Sequence, residues 1–154
     1  PRGQAYRGLK EFMNPIVYGQ GEMLFEEQDI ALLAVGSMVS TAEHIRDKLK
    51  ARGFQCSLAN GRFVKPFDAR LVDRLAHGHT RIVTLEENVL LGGYGLAVTA
   101  YIHRRYPQIR VMNVALPDAY VEHGNVSVLR AELGIDSDSI IRRLEAEGFL
   151  EDKT

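Results

Sequence analysis

The apolar and polar positions of this chain follow two alternating patterns from residue 29 onward. Ile30 to Val35 is an unbroken apolar run, which is typical of a strand buried on both faces of a sheet. Cys56 to Asn60, Arg81 to Leu85 and Arg110 to Leu116 are further short runs bounded by turn residues. These runs predict four strands in the core of one sheet.

Between and after these runs, apolar residues recur at the spacing of an amphipathic helix. Gly53 and Gly78 are stop signals, Asp68 can open the second helix, and Ser137 and Asp138 are candidate caps of the last one. The apolar residues expected to face inward from the five helices are Met38, Ala42, Ile45 and Leu49; Leu71, Val72 and Leu75; Ala97, Val98, Tyr101 and Ile102; Leu129 and Leu133; and Ile140, Ile141 and Leu144.

Strands that alternate with helices through short connections predict an α/β fold. We expect a three-layer architecture, with a mostly parallel five-stranded sheet and helices on both faces. The fifth strand is an edge strand near Glu22 to Phe25. Residues 1–27 otherwise lack this alternation of strands and helices and are interpreted as a linker from a preceding domain. Residues 28–154 are expected to form the domain itself. Pro1 in place of an initiator methionine indicates a piece of a longer protein.

Composition and charge exclude several classes of function. The formal net charge is −1 with both signs mixed along the chain, so no basic stripe for nucleic acid is predicted. The run from Ile30 to Val35 is far too short to span a bilayer, so no membrane partner is expected. Cys56 is the only cysteine, which favours a reducing, cytoplasmic compartment, and its place on a strand predicts a small core residue.

Parallel sheets bind ligands at the carboxyl ends of their strands, and the first candidate there is the turn Gly36-Ser37. A hydroxyl at a helix N-terminus suits an anion. Serine at this position is more often a simple cap of the helix that follows, and we favour that interpretation for Ser37.

The second candidate is Glu86-Glu87-Asn88 followed by Gly92-Gly93-Tyr94-Gly95. Paired carboxylates can divide acid and base roles, and glycines can let the backbone approach a phosphate. Adjacent residues of an extended segment point in opposite directions, and the spacing matches no phosphate-binding fingerprint. We therefore favour a close contact between helix and strand, with one glutamate buried by hydrogen bonds and the other solvated.

The third candidate is the loop that carries Asp118, Glu122 and His123. These side chains could ligate a metal, but such clusters are usually solvated turns, and we predict no metal site. His77 and His79 lie near a helix end, where a cationic imidazole is favourable. The residues also show no nucleophile with its base, so by themselves they indicate only an α/β domain.

Five segments, in order along the whole chain, resemble the 1-deoxy-D-xylulose-5-phosphate synthase family. The most specific is Asn60 to Asp68, which matches the family's pattern Asn-x-Arg-Phe-(Val/Ile)-Lys-Pro-x-Asp. The other four are Pro1-Arg2-Gly3, Thr84 to Asn88 with Gly92 to Gly95, Leu116-Pro117-Asp118 with Glu122-His123-Gly124, and Ala131 to Asp136. One departure is Leu96, where the family usually has a small serine.

The resemblance implies the C-terminal, transketolase-like domain of an enzyme that condenses pyruvate with glyceraldehyde 3-phosphate and releases carbon dioxide. The product feeds isoprenoid, thiamine and pyridoxal synthesis. Thiamine diphosphate and Mg²⁺ would be held by the preceding domains, and this fragment would bind neither and be inactive alone. By resemblance, Arg2 would contact the substrate phosphate in the full enzyme, and no other residue here would be catalytic.

The resemblance further implies packing against the missing N-terminal domains of the same chain and formation of a homodimer. We expect the loops at the strand ends to meet those domains or the partner subunit. The candidate interface residues are Glu86, Glu87, Asn88, Gly92, Gly93, Asp118, Glu122 and His123.

Two other functions remain open. One is a stand-alone dimerisation or ligand-sensing module that reuses the fold, and the other is the C-terminal domain of a different transketolase-like enzyme. The segments 62–68 and 116–124 argue against the second alternative. A Gly-Asp-Gly cofactor motif upstream of Pro1 would distinguish a synthase from a module.

Overall fold

A computed structural model describes residues 8–12 and 14–150 of the chain. Arg2 therefore lies outside the described residues. The elements are β1 (Glu22–Phe25), β2 (Ile30–Ala34), α1 (Met38–Ala51), β3 (Cys56–Asn60), α2 (Ala69–Gly78), β4 (Arg81–Val89), α3 (Tyr94–Arg105), β5 (Arg110–Leu116), α4 (Val126–Glu132) and α5 (Ser137–Ala146).

The strands form one five-stranded sheet in the order β1-β3-β2-β4-β5. The four core strands are parallel, and Leu32 of β2 lies opposite Leu58 of β3 and Val83 of β4. Strand β1 pairs antiparallel with β3 at one edge, where the sequence predicts an edge strand. Because β2 to β5 are parallel, their carboxyl ends and the loops that follow them meet at the same end of the sheet.

Helices cover both faces of the sheet, which confirms the predicted three-layer α/β fold. Residues of a strand point alternately to the two faces, so β2 supplies Leu32 to one core and Leu33 to the other. Helices α1 and α5 pack on the first face through residues such as Ile45 and Leu144. Helices α2 and α3 pack on the second face, with Leu75 and Ile102 fully buried.

The caps of α2 and α5 are both aspartates, of which the sequence identified one. Asp68 caps α2 as expected, accepting hydrogen bonds from the N–H groups of Arg70 and Leu71. The cap of α5 is Asp136, not Ser137 or Asp138, because the helix already begins at Ser137 and Asp136 reaches the first free N–H groups.

Three element predictions need correction. Strand β4 continues past Leu85 to Val89, so the two glutamates lie on the strand itself. In α3, Tyr94 is buried and Ala97 is exposed, because the helix already begins at the glycine-rich turn. None of the residues of α4, all of which the structure describes, is buried, so Leu129 is only partly covered.

Two further features bear on the class of protein. Cys56 is buried in the core, as predicted for a small structural residue. Within residues 8–12 and 14–150, no helix combines the length and the apolar character needed to cross a membrane.

Candidate functional site

The carboxyl ends of β4 and β5 bring together the two loop segments that the sequence singled out. One cavity is lined by Leu90 and Leu91 from the first segment and by Pro117 and Asp118 from the second. A second cavity of about 150 Å³ is almost wholly apolar and lies between Glu87, Val121 and α4. Leu116 and Leu133 line both cavities, so the two form one groove at this end of the sheet.

Glu86 is the residue that fixes helix α3 to the sheet. Its side chain is fully buried, and its two carboxylate oxygens accept hydrogen bonds from the N–H groups of Tyr94 (2.9 Å) and Gly95 (2.8 Å). These N–H groups belong to the first turn of α3 and have no acceptor within the helix. A carboxylate at this position is also favoured by the helix dipole, so Glu86 stabilises the start of α3.

The glycines beside Glu86 are required for this close approach. A Cβ atom at Gly93 would lie 2.5 Å from the carbonyl oxygen of Val89 and 2.6 Å from a carboxylate oxygen of Glu86. A Cβ atom at Gly95 would lie 2.5 Å from the hydroxyl of Thr84. The interpretation of this segment as a close contact between helix and strand, with one buried glutamate, is therefore confirmed.

Glu87 points to the opposite side of β4 and joins three elements. The guanidinium of Arg130 on α4 donates to both of its carboxylate oxygens, at 2.8 and 2.9 Å. The hydroxyl of Ser37, at the start of α1, donates to the same carboxylate. Two predictions are thus wrong: Glu87 is half-buried and paired where a solvated side chain was expected, and Ser37 makes no cap bond to the described backbone of α1.

The pairing sets the charge state of Glu87. The hydrogen bonds from Arg130 hold the pKa of the Glu87 carboxyl below its ordinary value, and the Ser37 hydroxyl acts in the same direction. Partial burial opposes this lowering without reversing it. Glu87 is therefore an anion at neutral pH, and both of its carboxylate oxygens already accept hydrogen bonds. This arrangement suits a structural role in which Glu87 connects β4 with α4 and with the start of α1.

Large apolar side chains are exposed around the groove, and we call them the β4–β5 surface. Leu91 is 68% exposed and Val126 is 60% exposed, although both are residues that usually lie inside. The members of this surface are Val89, Leu90, Leu91, Tyr120, Val121 and Val126. An apolar set of this size at loops is typical of a surface that contacts another protein unit.

The remaining candidate residues lie on the rim of this surface. Those exposed to solvent are Asn88, Asp118, Glu122, His123 and Gly92. The φ of Gly92 is +76°, a conformation that is unfavourable for a residue with a side chain. Among the residues that the structure describes, no group of three or more His, Cys, Asp or Glu side chains is arranged to hold a metal ion. The interface role predicted for these residues and for Glu86, Glu87 and Gly93 stays a prediction.

The start of α3 is the place where a cofactor phosphate would be expected in a sheet of this type. Its N–H groups at Tyr94 and Gly95 already donate to Glu86, whose buried negative charge would repel a diphosphate. The described residues at this site therefore do not fit thiamine diphosphate, and no step of thiamine chemistry is assigned to them.

Sequence reasoning missed Arg130 and the apolar members of the β4–β5 surface. Arg130 is one of many arginines on helices, and nothing in the sequence pairs it with a glutamate 43 residues away. The adjacent leucines 90 and 91, directly before a glycine turn, and the pair Tyr120-Val121 inside a polar loop were the available signals. Apolar residues in turn segments are the pattern that indicates a contact surface.

Known proteins resemble the chain over most of its length. It is 39% identical to a 1-deoxy-D-xylulose-5-phosphate synthase of Lachnoclostridium phytofermentans over 94% of the chain and 23% of that protein. It is 41% identical to a synthase of the same name from Desulforudis audaxviator, over 96% of the chain and 24% of that protein. The chain thus spans about a quarter of the length of these curated relatives.

Solved structures share the fold. One described as "Split gene transketolase, inactive beta4 tetramer" superposes with a TM-score of 0.79 at 27% identity, over 85% of this chain and 43% of that one. A transketolase from Campylobacter jejuni superposes with a TM-score of 0.62 at 17% identity, over 87% of this chain and 20% of that one. The sequence model of the family described as "Transketolase, C-terminal domain" matches residues 19–140, and the chain belongs to that family.

Proposed function

We propose that this chain is the C-terminal domain of a 1-deoxy-D-xylulose-5-phosphate synthase and acts in domain packing and dimerisation. The observation that carries the proposal is the similarity to synthases of that name along 94% of the chain, which is only 23% of the relative's length. The whole enzyme would condense pyruvate with glyceraldehyde 3-phosphate in the cytoplasm and supply isoprenoid and thiamine synthesis. Thiamine diphosphate and Mg²⁺ would bind to the other domains, and Arg2 would reach the substrate phosphate.

The chemistry of the described residues supports an architectural role. Both glutamates of the pair already accept hydrogen bonds from neighbouring elements, so neither is available as an acid or a base. The groups that remain exposed at this end of the sheet are mainly apolar, with a polar rim that includes Asp118 and His123. An apolar centre with a polar rim is the usual composition of a protein interface.

The β4–β5 surface is the part of the domain that we assign to dimerisation. Leu91 is its most exposed leucine, and the cavity that it lines is also lined by residues of β5, of the loop that follows β5 and of α5. The description of the similar split-gene transketolase chain reads "inactive beta4 tetramer", where beta4 is part of that description and not the strand β4 of this domain. This supports the idea that a domain of this type can join copies of itself.

The test compares the 154-residue chain with a longer protein that carries it at the carboxyl end. With thiamine diphosphate, Mg²⁺, pyruvate and glyceraldehyde 3-phosphate, the longer protein should release carbon dioxide and form the product. The chain alone should release none and give no heat with the cofactor in a calorimeter. Turnover or micromolar cofactor binding by the chain alone would show that the active site has been misassigned.

The alternative of a stand-alone dimerisation or ligand-sensing module makes a different prediction. In that case the gene would encode no Gly-Asp-Gly cofactor motif upstream of Pro1, and no longer product would condense the two substrates. Sequencing upstream of this segment is the quickest way to separate the two functions.

A further inference from the structure

A second apolar surface lies on the β1–β3 side of the sheet, outside the groove described above. Ile16 and Tyr18 are each 77% exposed, and Val17 and Val64 are 48% and 46% exposed. The partly buried Phe63 joins them through an edge-to-face contact with Tyr18, with ring centroids 5.6 Å apart. We call these five side chains the strap surface, because residues 14–21 cross the domain as a strap before β1.

The strap is fastened by Arg62, which adopts an unusual backbone conformation. Its φ of +54° is left-handed, a state that is unfavourable for a residue with a side chain. In this conformation its guanidinium donates to the carbonyl oxygens of Asn14 and Pro15, at 3.3 Å each, and to the Glu22 carboxylate. Glu22 is itself buried and also accepts from the Asn14 side chain.

A second fastening lies at the other end of the strap. The N–H group of Gly21 donates to one carboxylate oxygen of Asp68 at 2.9 Å, while the other oxygen caps α2. Gly21 lies so close to the body that a Cβ atom there would be 2.8 Å from the carbonyl oxygen of Asn60. The backbone of the strap is therefore held against the domain while its large apolar side chains project into solvent.

A held backbone with exposed apolar side chains is the arrangement of a preorganised docking surface. Such a surface loses little conformational freedom when it binds. A larger part of the free energy gained by burying its apolar side chains therefore contributes to affinity. If the strap served only to close the core, Ile16 and Tyr18 would be expected to point inward. Their exposure favours a contact with a unit outside this domain.

We propose that the strap surface docks onto the preceding domain of the same polypeptide. This inference rests on the proposed function, which puts about three quarters of the protein before residue 1. The preceding domain and the strap would be parts of one polypeptide, and a flexible connection between them would keep that domain at an effective concentration in the millimolar range.

The size of the surface favours the preceding domain over a second copy. Five side chains offer well under the roughly 800 Å² that each partner usually contributes to a stable protein–protein interface. A docking contact within one chain needs less area, because the covalent connection removes most of the entropic cost of association. The strap surface is thus suited to an intrachain contact, and the larger β4–β5 surface to contact between chains.

Hydroxyl-radical footprinting of the longer protein tests the proposal, since both surfaces carry an exposed tyrosine. Tyr18 reports on the strap surface and Tyr120 on the β4–β5 surface, and the urea-unfolded protein gives the rate of a free tyrosine. We expect Tyr18 to be oxidised about fivefold more slowly than in the unfolded protein, at every protein concentration. Val64→Asp, which places a charge in the surface, should return Tyr18 to the free rate.

Val126→Asp is the matched control, because Val126 is also an exposed valine, at 60%, and lines the other surface. That variant should leave Tyr18 protected and expose Tyr120. Oxidation of Tyr18 at the free rate would overturn the proposal, and protection that disappears on dilution would assign the surface to a second copy. Synthase activity is measured on the same samples, so a failure of the proposed function can be told from a failure of the docking contact.

Discussion

At the scale of single residues, Glu86 and Glu87 have different tasks because adjacent strand residues face opposite ways. Glu86 is enclosed and accepts from two backbone N–H groups of α3, whereas Glu87 reaches Arg130 and Ser37 near the surface. A buried hydrogen bond to a charged group contributes more to stability than a neutral one. Substitutions of the two residues are therefore expected to differ in cost.

Glu86→Gln should lower the free energy of unfolding by about 2 kcal/mol. The amide keeps the shape but loses the charge, and its NH₂ group would face an N–H of Tyr94 or Gly95 with no acceptor between them. Urea unfolding measures the change. Asn88→Asp, at an exposed position two residues further along the strand, is the control and should stay within about 0.5 kcal/mol of the parent.

Gly93→Ala should lower the free energy of unfolding by about 1–3 kcal/mol, because its methyl group would overlap the Val89 carbonyl oxygen and the Glu86 carboxylate. Gly78→Ala, on the last turn of α2, is the matched control. Within the part of the chain that the structure describes, no heavy atom beyond its own helical turn lies within 4 Å of the place that its methyl group would take. Alanine favours the helix, so a gain of about 0.5 kcal/mol is expected there. Equal losses in the two variants would contradict the packing argument.

At the scale of elements, α4 is the helix that is attached most weakly to the rest of the domain. It has seven residues and none of them is buried, so the ion pair between Arg130 and Glu87 is its main polar attachment among the described contacts. Helix α5 contrasts with it, because Ile140, Ile141 and Leu144 are buried in the core. Burial of apolar side chains holds α5 in place, whereas charge holds α4.

Arg130→Met should lower the free energy of unfolding by up to about 1 kcal/mol at neutral pH. The pairing lowers the folded-state pKa of Glu87 below its ordinary value of 4.5. Its stabilisation is thus complete above the unfolded pKa and is lost as the pH falls through the folded one. The difference between parent and variant should therefore shrink as the pH is taken well below 4.5, as urea unfolding at each pH would report.

Arg142→Met is the control for the loss of an exposed arginine, since the Arg142 side chain donates to the Ser139 hydroxyl and carries no described bond to a carboxylate. Its small effect should not change with pH through the same range. Hydrogen exchange at residues 126–132 should become faster in Arg130→Met and stay unchanged in Arg142→Met. A pH-independent loss in Arg130→Met would mean that the packing of its stem, not its charge, holds α4.

At the scale of the whole molecule, the two apolar surfaces predict separate effects on assembly. In the longer protein, Leu91→Asp should weaken the dimer at least about tenfold, because it buries a charge in the β4–β5 surface. Ile16→Asp should leave the dimer mass unchanged, since the strap surface is assigned to a contact within one chain. Native mass measurement over a dilution series distinguishes the two, and equal dissociation by both variants would contradict the assignment.

Much of the fold can be predicted from the local pattern of apolar, polar and capping residues in the sequence. Ile30–Ala34 and Cys56–Asn60 are strands because all of their residues except Asn60 are buried in the sheet, and the parallel arrangement follows from the alternation with helices. Asp68 could be identified as a cap because the cap bond joins neighbours in sequence. The buried role of one glutamate could also be foreseen, since glycines follow it closely and adjacent strand residues point in opposite directions.

The sequence by itself thus determined the α/β class, the layers, the family resemblance and the placement of the candidate loops at one end of the sheet. Only the tertiary structure decided that Arg130 and Ser37 meet Glu87, that Arg62 fastens the strap, and that Ile16, Tyr18 and Leu91 face solvent. The physical reason is the range of the interactions. Periodicity and capping act between residues a few positions apart, whereas these ion pairs and exposures depend on how elements far apart in the chain pack together.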